Sequence, residues 1–309
     1  MKNTLLYLTT VLIWGTTWFA IEFQLGEVAV EISLFYRFAL AAILMWGFCW
    51  WKKIPLALSL RNHSFIFLLG LLNFSMNYLV LYWAQNYLTS AMTSIAFSTL
   101  LLMNIVNTRI FFGKPIAGRI IIGALLGIIG IIALFWQDLQ DFNISSTAII
   151  GLMLTLFGTF LASLGNMVSV RNTANKISVI QGNTWGMLYG TIALLIYALI
   201  NGSEFTFASQ TSYWVSLLYL SLFGTVFAFA CYFMLFQNIG PEKASYVIVL
   251  FPLVAVVFST LYEGFIWHQS TILGFVLVLS GNAIVLTPFE KILRLIKPVT
   301  KVESSPHQP

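Results

Sequence analysis

Long apolar runs alternate with short polar breaks along the whole chain. Ten runs can be marked, at 4–22, 32–51, 64–83, 90–110, 117–136, 148–168, 179–200, 213–235, 244–262 and 271–288. A helix that crosses a bilayer needs about 20 apolar residues, and each run is near that length. The breaks hold a dozen residues or fewer, too few for a folded domain between runs. The pattern therefore predicts ten transmembrane helices joined by short loops. The first run could pass for a signal peptide. It lacks a small-residue cleavage site and ends in the bulky Trp18-Phe19-Ala20-Ile21-Glu22, so it reads as an uncleaved helix.

The pattern also repeats. A shift of 151 residues carries Gly113 onto Gly264, Gly123 onto Gly274 and Gly130 onto Gly281. Ser94, Leu102, Val106, Ile121 and Leu126 meet identical residues under the same shift, and with a one-residue slip Gln85-Asn86 meets Gln237-Asn238. Internal repeats in an apolar chain are a mark of many transporter folds. The expected units are a first five-helix repeat over 1–136, a connecting loop over 137–147, a second repeat over 148–288 and a basic tail over 289–309.

Composition agrees with this reading. The chain is 59% hydrophobic with a mean hydropathy of +0.90, and only 8% of it is charged, against about 25% in a soluble domain. The net charge of +5 matters less than its placement. With the N-terminus in the cytoplasm, one side of the membrane receives Lys2, Lys52, Lys53, Arg61, Arg109, Lys114, Arg119, Arg171, Lys176, Lys243, Lys291, Arg294, Lys297 and Lys301. The other side receives acids only: Glu22, Glu27, Glu31, Asp138, Asp141, Glu204 and Glu263. This is the positive-inside bias, and one miscounted helix would scramble it. Five helices per repeat is an odd number, so the second repeat enters the membrane from the opposite side. Such inverted repeats lend themselves to alternating access.

The polar positions inside the runs are the candidate chemistry. Trp14 and Trp18 share a helix face, either as packing or as an aromatic wall. Arg37 lies about 9 Å into the second helix at about 1.5 Å per residue. A charge at that depth faces the interior, pairs or snorkels. Glu22, Glu27 and Glu31 are possible partners, and a substrate carboxylate is the alternative, since guanidinium grips one bidentately. The third helix carries Asn73, Asn77 and Tyr78 at mid-span, where amides need partners. Ser94 sits on the fourth helix, Trp185 and Tyr189 on one stripe of the seventh, and Tyr246 beside Pro252 on the ninth. These ten residues are the expected lining of a central cavity.

Other chemistry is poorly represented. Cys49 and Cys231 lie inside apolar runs and offer neither a disulfide framework nor metal spacing. Asp138 and Asp141 form a close acidic pair without further ligands, and no carboxylate stands at mid-membrane. His63, His268 and His307 fall in predicted loops or the tail. No cofactor, metal or nucleic-acid motif is present, and clustered acids or histidines of the kind a membrane enzyme uses are missing.

Several stretches resemble the EamA family of the drug/metabolite transporter superfamily. Trp14-Gly15-Thr16-Thr17-Trp18-Phe19-Ala20 is similar to its first-helix motif. Tyr36-Arg37-Phe38 with Ala41 is similar to its second-helix arginine motif. Phe112-Gly113-Lys114-Pro115 with Gly123 and Gly130 resembles its glycine signature, and Gly240-Pro241 through Ala244, with Pro252 to Glu263-Gly264, resembles the second copy. The resemblance implies an all-α polytopic membrane protein of ten helices, two inverted repeats around a central cavity. It further implies a bacterial inner-membrane location; the charge pattern puts both termini in the cytoplasm, and a monomer or weak homodimer is expected. The implied function is export of small metabolites, amino acids first. The aromatic candidates favour aromatic or bulky ones. The alternative is a carrier of the same fold for a drug, sugar, nucleoside or nucleotide-sugar.

Overall fold

The computed structural model describes residues 2–137, 147–239, 244 and 246–286, and every element among them is helical. The helices are α1 (Lys2–Glu22), α2 (Val30–Trp51), α3 (Leu60–Gln85), α4 (Ser90–Phe112), α5 (Gly118–Leu134), α6 (Thr147–Ala174), α7 (Val179–Ile200), α8 (211–239), α9 (Tyr246–Tyr262) and α10 (Gln269–Leu286). Eight contain a stretch long and apolar enough to cross a membrane, and α5 and α9 are shorter apolar helices. The chain is a polytopic, all-helical membrane protein.

The helix ends follow local chemistry. Ser178 and Gln181 form a capping box at the start of α7, and Thr89 accepts from the Met92 amide to start α4. Gly113 ends α4 at φ 67° and Gly264 follows α9 at φ 70°. Both are left-handed positions that favour glycine, and the 151-residue shift relates them.

Two helices are not regular. α3 contains a π-helical segment at Leu72–Met76, and α8 contains one at Leu220–Phe227. The repeat shift carries 72–76 onto 223–227, within the second segment. α4 breaks at Ser98–Thr99, where both hydroxyls bond back to carbonyls three residues earlier, at 2.6 and 2.7 Å. Such back-bonding competes with the helical ladder.

α5 shows how the fold sits in lipid. Ile121, Leu125, Ile128 and Ile132 cover one exposed face, while Gly123, Gly127 and Gly130 are buried on the opposite one. That is the reverse of a soluble amphipathic helix. The glycine face meets α10. A Cβ on Gly123 would come within 2.6 Å of the Gly281 carbonyl, and one on Gly130 within 2.9 Å of the Gly274 carbonyl. Small residues allow this backbone-to-backbone approach. As α5 is followed forward, α10 is met backward, so the two cross antiparallel. Elsewhere α1 packs on α8 and α9, α6 packs on α3 and α4, and α2 packs on α7.

Candidate functional site

α2 brings Arg37 into the bundle interior, where it is 2% exposed. Its Nη1 donates to Tyr82 Oη at 2.9 Å, and Nη2 reaches Thr225 Oγ1 at 3.5 Å. The guanidinium carbon lies 4.8 Å from the Tyr78 ring centroid. Nε has no partner. The backbone at Arg37 is held as well, since Ser221 Oγ donates to its carbonyl at 3.1 Å. The two π segments frame this place. Asn77, Tyr78 and Tyr82 follow the one in α3, and Thr225 lies within the one in α8. π segments often mark functional sites.

The expected ion pairs do not form. Glu22 accepts from Gln85 Nε2 at 2.8 Å, Glu27 from the Ser209 amide at 2.7 Å, and Glu31 from the Ser203 hydroxyl. Each acid is engaged by a neutral donor, and among the described residues Arg37 has hydroxyls and rings but no carboxylate. A buried charge without a counter-ion is costly. The edge that grips a carboxylate side-on, Nε with Nη2, carries no bond on Nε and only the long contact on Nη2.

Aromatic side chains continue from this point. Phe38 meets Tyr78 at 4.9 Å and Phe74 at 6.0 Å between ring centroids; Phe74 meets Phe229 at 6.5 Å, and Phe229 meets Trp14 at 5.5 Å. Trp18 packs with Phe97 and Phe251 at 5.1 and 6.0 Å. Rings therefore stand against one another in a row at this level of the bundle. Two cavities lie on the flanks. One of about 240 Å³ is lined by Thr16, Phe19 and Tyr219, and one of about 430 Å³ runs between α4, α5 and α6, beside Asn107 and Phe160.

The ten sequence candidates separate into groups. Arg37, Tyr78 and Trp14 belong to one connected cluster. Asn77 is 4% exposed, on the turn that carries Tyr78, and its Oδ1 is without a partner. Trp18 is buried in the adjoining cluster that shares Trp14. Asn73 turns to α6 instead, donating to Asn166, which in turn donates to Asn104, both at 3.3 Å. Ser94 is fully buried and bonds back to the Ala91 carbonyl.

Trp185 and Tyr189 stand apart from Arg37. Trp185 Nε1 donates to the Leu56 carbonyl at 2.9 Å, and the Tyr189 hydroxyl lies 2.8 Å from His63 Nδ1. They clasp the connection between α2 and α3. His63, expected in a loop, lies inside α3 because that helix starts at Leu60. The Tyr246 side chain, Asp138, Asp141 and the tail lie outside the described residues. Tyr82 and Thr225 are not among the sequence candidates, because nothing in the sequence places them against Arg37.

Comparison with known proteins agrees with the fold. The profile of the EamA-like transporter family matches residues 1–136 and 149–287. The chain belongs to the EamA-like transporter family. It is 24% identical over 95% of its length to an uncharacterized transporter encoded in the trpA 3′ region of Buchnera aphidicola subsp. Schlechtendalia chinensis, covering 96% of that protein. It is 22% identical to the uncharacterized transporter YoaV of Bacillus subtilis, covering 91% of this chain and 95% of that one. The uncharacterized inner membrane transporter YedA of Escherichia coli K12 is 27% identical, with 81% and 79% covered. One crystal structure superposes with a TM-score of 0.66 at 13% identity, over 92% of this chain and 96% of that one. That likeness speaks to fold alone.

Proposed function

We propose that this family member is a carrier that exports small carboxylate-bearing metabolites, amino acids first, by alternating access. The observation that carries the reading is the Arg37 guanidinium: buried, without an acid among the described residues, and with no bond on Nε and only a 3.5 Å contact on Nη2 along its carboxylate-gripping edge. A substrate carboxylate would supply the missing counter-ion. Tyr82 and Thr225 orient the guanidinium, Asn77 offers an amide, and Trp14, Trp18 and Tyr78 supply aromatic surface for a side chain. Asn73 and Ser94 serve helix packing, and Trp185 with Tyr189 holds the α2–α3 connection.

Two five-helix halves, 1–136 and 148–288, inserted in opposite directions, would provide the motion. The reading is supported by the antiparallel crossing of α5 and α10 and by the paired π segments. It is also supported by the packing of α1 on α8 and α9 against that of α6 on α3 and α4, which the repeat shift interchanges. Packed rings around Trp14 then correspond to a closed form. The charge asymmetry favours cytoplasmic termini, and the naming of YedA favours a bacterial inner membrane.

The test is a thermal-shift panel on purified protein in detergent. At least one amino acid should raise the melting temperature, its decarboxylated amine should not, and Arg37→Gln should sharply weaken the response at the same ligand concentration. A shift by the amine as large as by the acid would remove the carboxylate from recognition.

A further inference from the structure

Four helix ends meet around Glu22 and Glu263. Gln85, at the end of α3, donates to Glu22 Oε1 at 2.8 Å and to the Trp18 carbonyl at 2.9 Å. The Ser90 amide, at the start of α4, donates to Glu263 Oε2 at 2.8 Å, and Ser259 Oγ on α9 donates to the same atom at 2.7 Å. The short turn between Gln85 and Ser90 sets the two acids at the same end of the bundle. The network joins α1, α3 and α4 of one half to α9 of the other.

Its acceptors outnumber its donors. Gln85 is 4% exposed and Ser90 fully buried, yet Gln85 Oε1, Ser90 Oγ and Glu263 Oε1 have no partner. Gln85 already uses its amide nitrogen on Glu22, so its unpartnered oxygen belongs to the same cluster. The titratable and charged groups near these helix ends are Glu22 on α1, Tyr82 on α3, Tyr87 in the turn after α3, Tyr262 and Glu263 at the end of α9, and His268 before α10. Arg37 reaches Tyr82 from α2 and is engaged there. No lysine or arginine among the described residues bonds to either carboxylate. Two carboxylates at one end of the bundle with no cation bonded to them favour holding a proton, and a carboxyl O–H would give an unpartnered acceptor such as Gln85 Oε1 the donor it lacks.

We propose that Glu22 and Glu263 form a proton-binding site that latches the two halves together. In the orientation proposed above it faces outward. A proton from the outer aqueous phase adds to one carboxylate oxygen and bridges the cluster; its loss leaves two like charges that push the outer ends apart. Gln85 and Ser90 are positioning residues. The link to transport rests on the carrier reading, whereas the proton site does not.

The test is infrared titration of the reconstituted, substrate-free protein between about pH 5 and 8, the range a perturbed carboxyl can reach. A carboxylic-acid C=O band should titrate in that range. It should vanish in the Glu22→Gln/Glu263→Gln double variant and persist in Glu204→Gln, whose carboxylate lies on a different loop. Gln85→Met, which keeps both acids, should move the band's midpoint, so the prediction survives a double variant that fails to fold. A band that is absent in the wild type, persists in the double variant, or answers to Na⁺ at fixed pH instead of to pH would overturn the proposal. Because no substrate is present, failure here leaves the Arg37 reading intact, and an unresponsive ligand panel leaves this result intact.

Discussion

Arg37 concentrates the functional argument in one side chain. Hydrogen bonds to charged groups are worth about 1.5–3 kcal/mol, so Arg37→Gln should lower substrate affinity roughly tenfold to a hundredfold. Arg37→Lys should recover only part of it, because an ammonium cannot reproduce the bidentate fork. Replacing a buried, unpaired charge with an apolar side chain often stabilises a protein. Arg37→Met should therefore abolish binding without lowering the melting temperature; a large drop would recast Arg37 as structural. Glu27, in the loop between α1 and α2, gives a second residue-scale test. The Ser209 backbone and side chain hold its carboxyl below the ordinary carboxylate value. A depressed group stabilises the folded contact above its unfolded value and loses it as pH falls through the folded one. Hydrogen exchange at the Ser209 amide should accelerate only on acidification below the ordinary carboxylate range, and Glu27→Gln should remove that pH dependence. The sequence showed that Arg37 lay inside the membrane, since depth follows from counting along a helix. It did not show that the acids on the same side were engaged elsewhere, because Ser203 and Ser209 lie more than 170 positions from their partners.

At the scale of the element, the α5–α10 crossing is the most exposed to mutation. Gly123→Leu would drive a Cβ into Val285 at 2.4 Å and the Gly281 carbonyl at 2.6 Å. Overpacking costs about 1–3 kcal/mol, and the melting temperature should fall accordingly. Gly47→Ala on α2 meets nothing within 4 Å and should raise stability slightly, since helical glycine costs about 1 kcal/mol against alanine. Equal effects at the two positions would contradict the close approach. The helices themselves were legible because bilayer length imposes a run of apolar residues that survives any side-chain detail. The glycines were legible because they recur. The π segments were not, since a local widening of the helical turn leaves no trace in the apolar run that a bilayer imposes. The Trp185–Tyr189 stripe was seen as a stripe, but a shared face does not say what it meets. His63 and the α2–α3 connection occupy that face.

At the scale of the molecule, the charge pattern and the reciprocal packing support the proposed account, in which two halves of opposite insertion would close around Arg37. Topology can be checked in a variant lacking Cys49 and Cys231. A cysteine at Lys114 should react with an impermeant thiol reagent only from the cytoplasm, and one at Trp267 only from outside. Labelling of both from one side would exclude inverted halves. The most direct measurement of the central claim is counterflow in proteoliposomes. Vesicles loaded with an unlabelled amino acid that stabilises the protein should accumulate the labelled form transiently. Loading with its decarboxylated amine should not support this, and neither should Arg37→Gln protein of equal melting temperature. Equal counterflow by the Arg37→Gln protein would contradict the account.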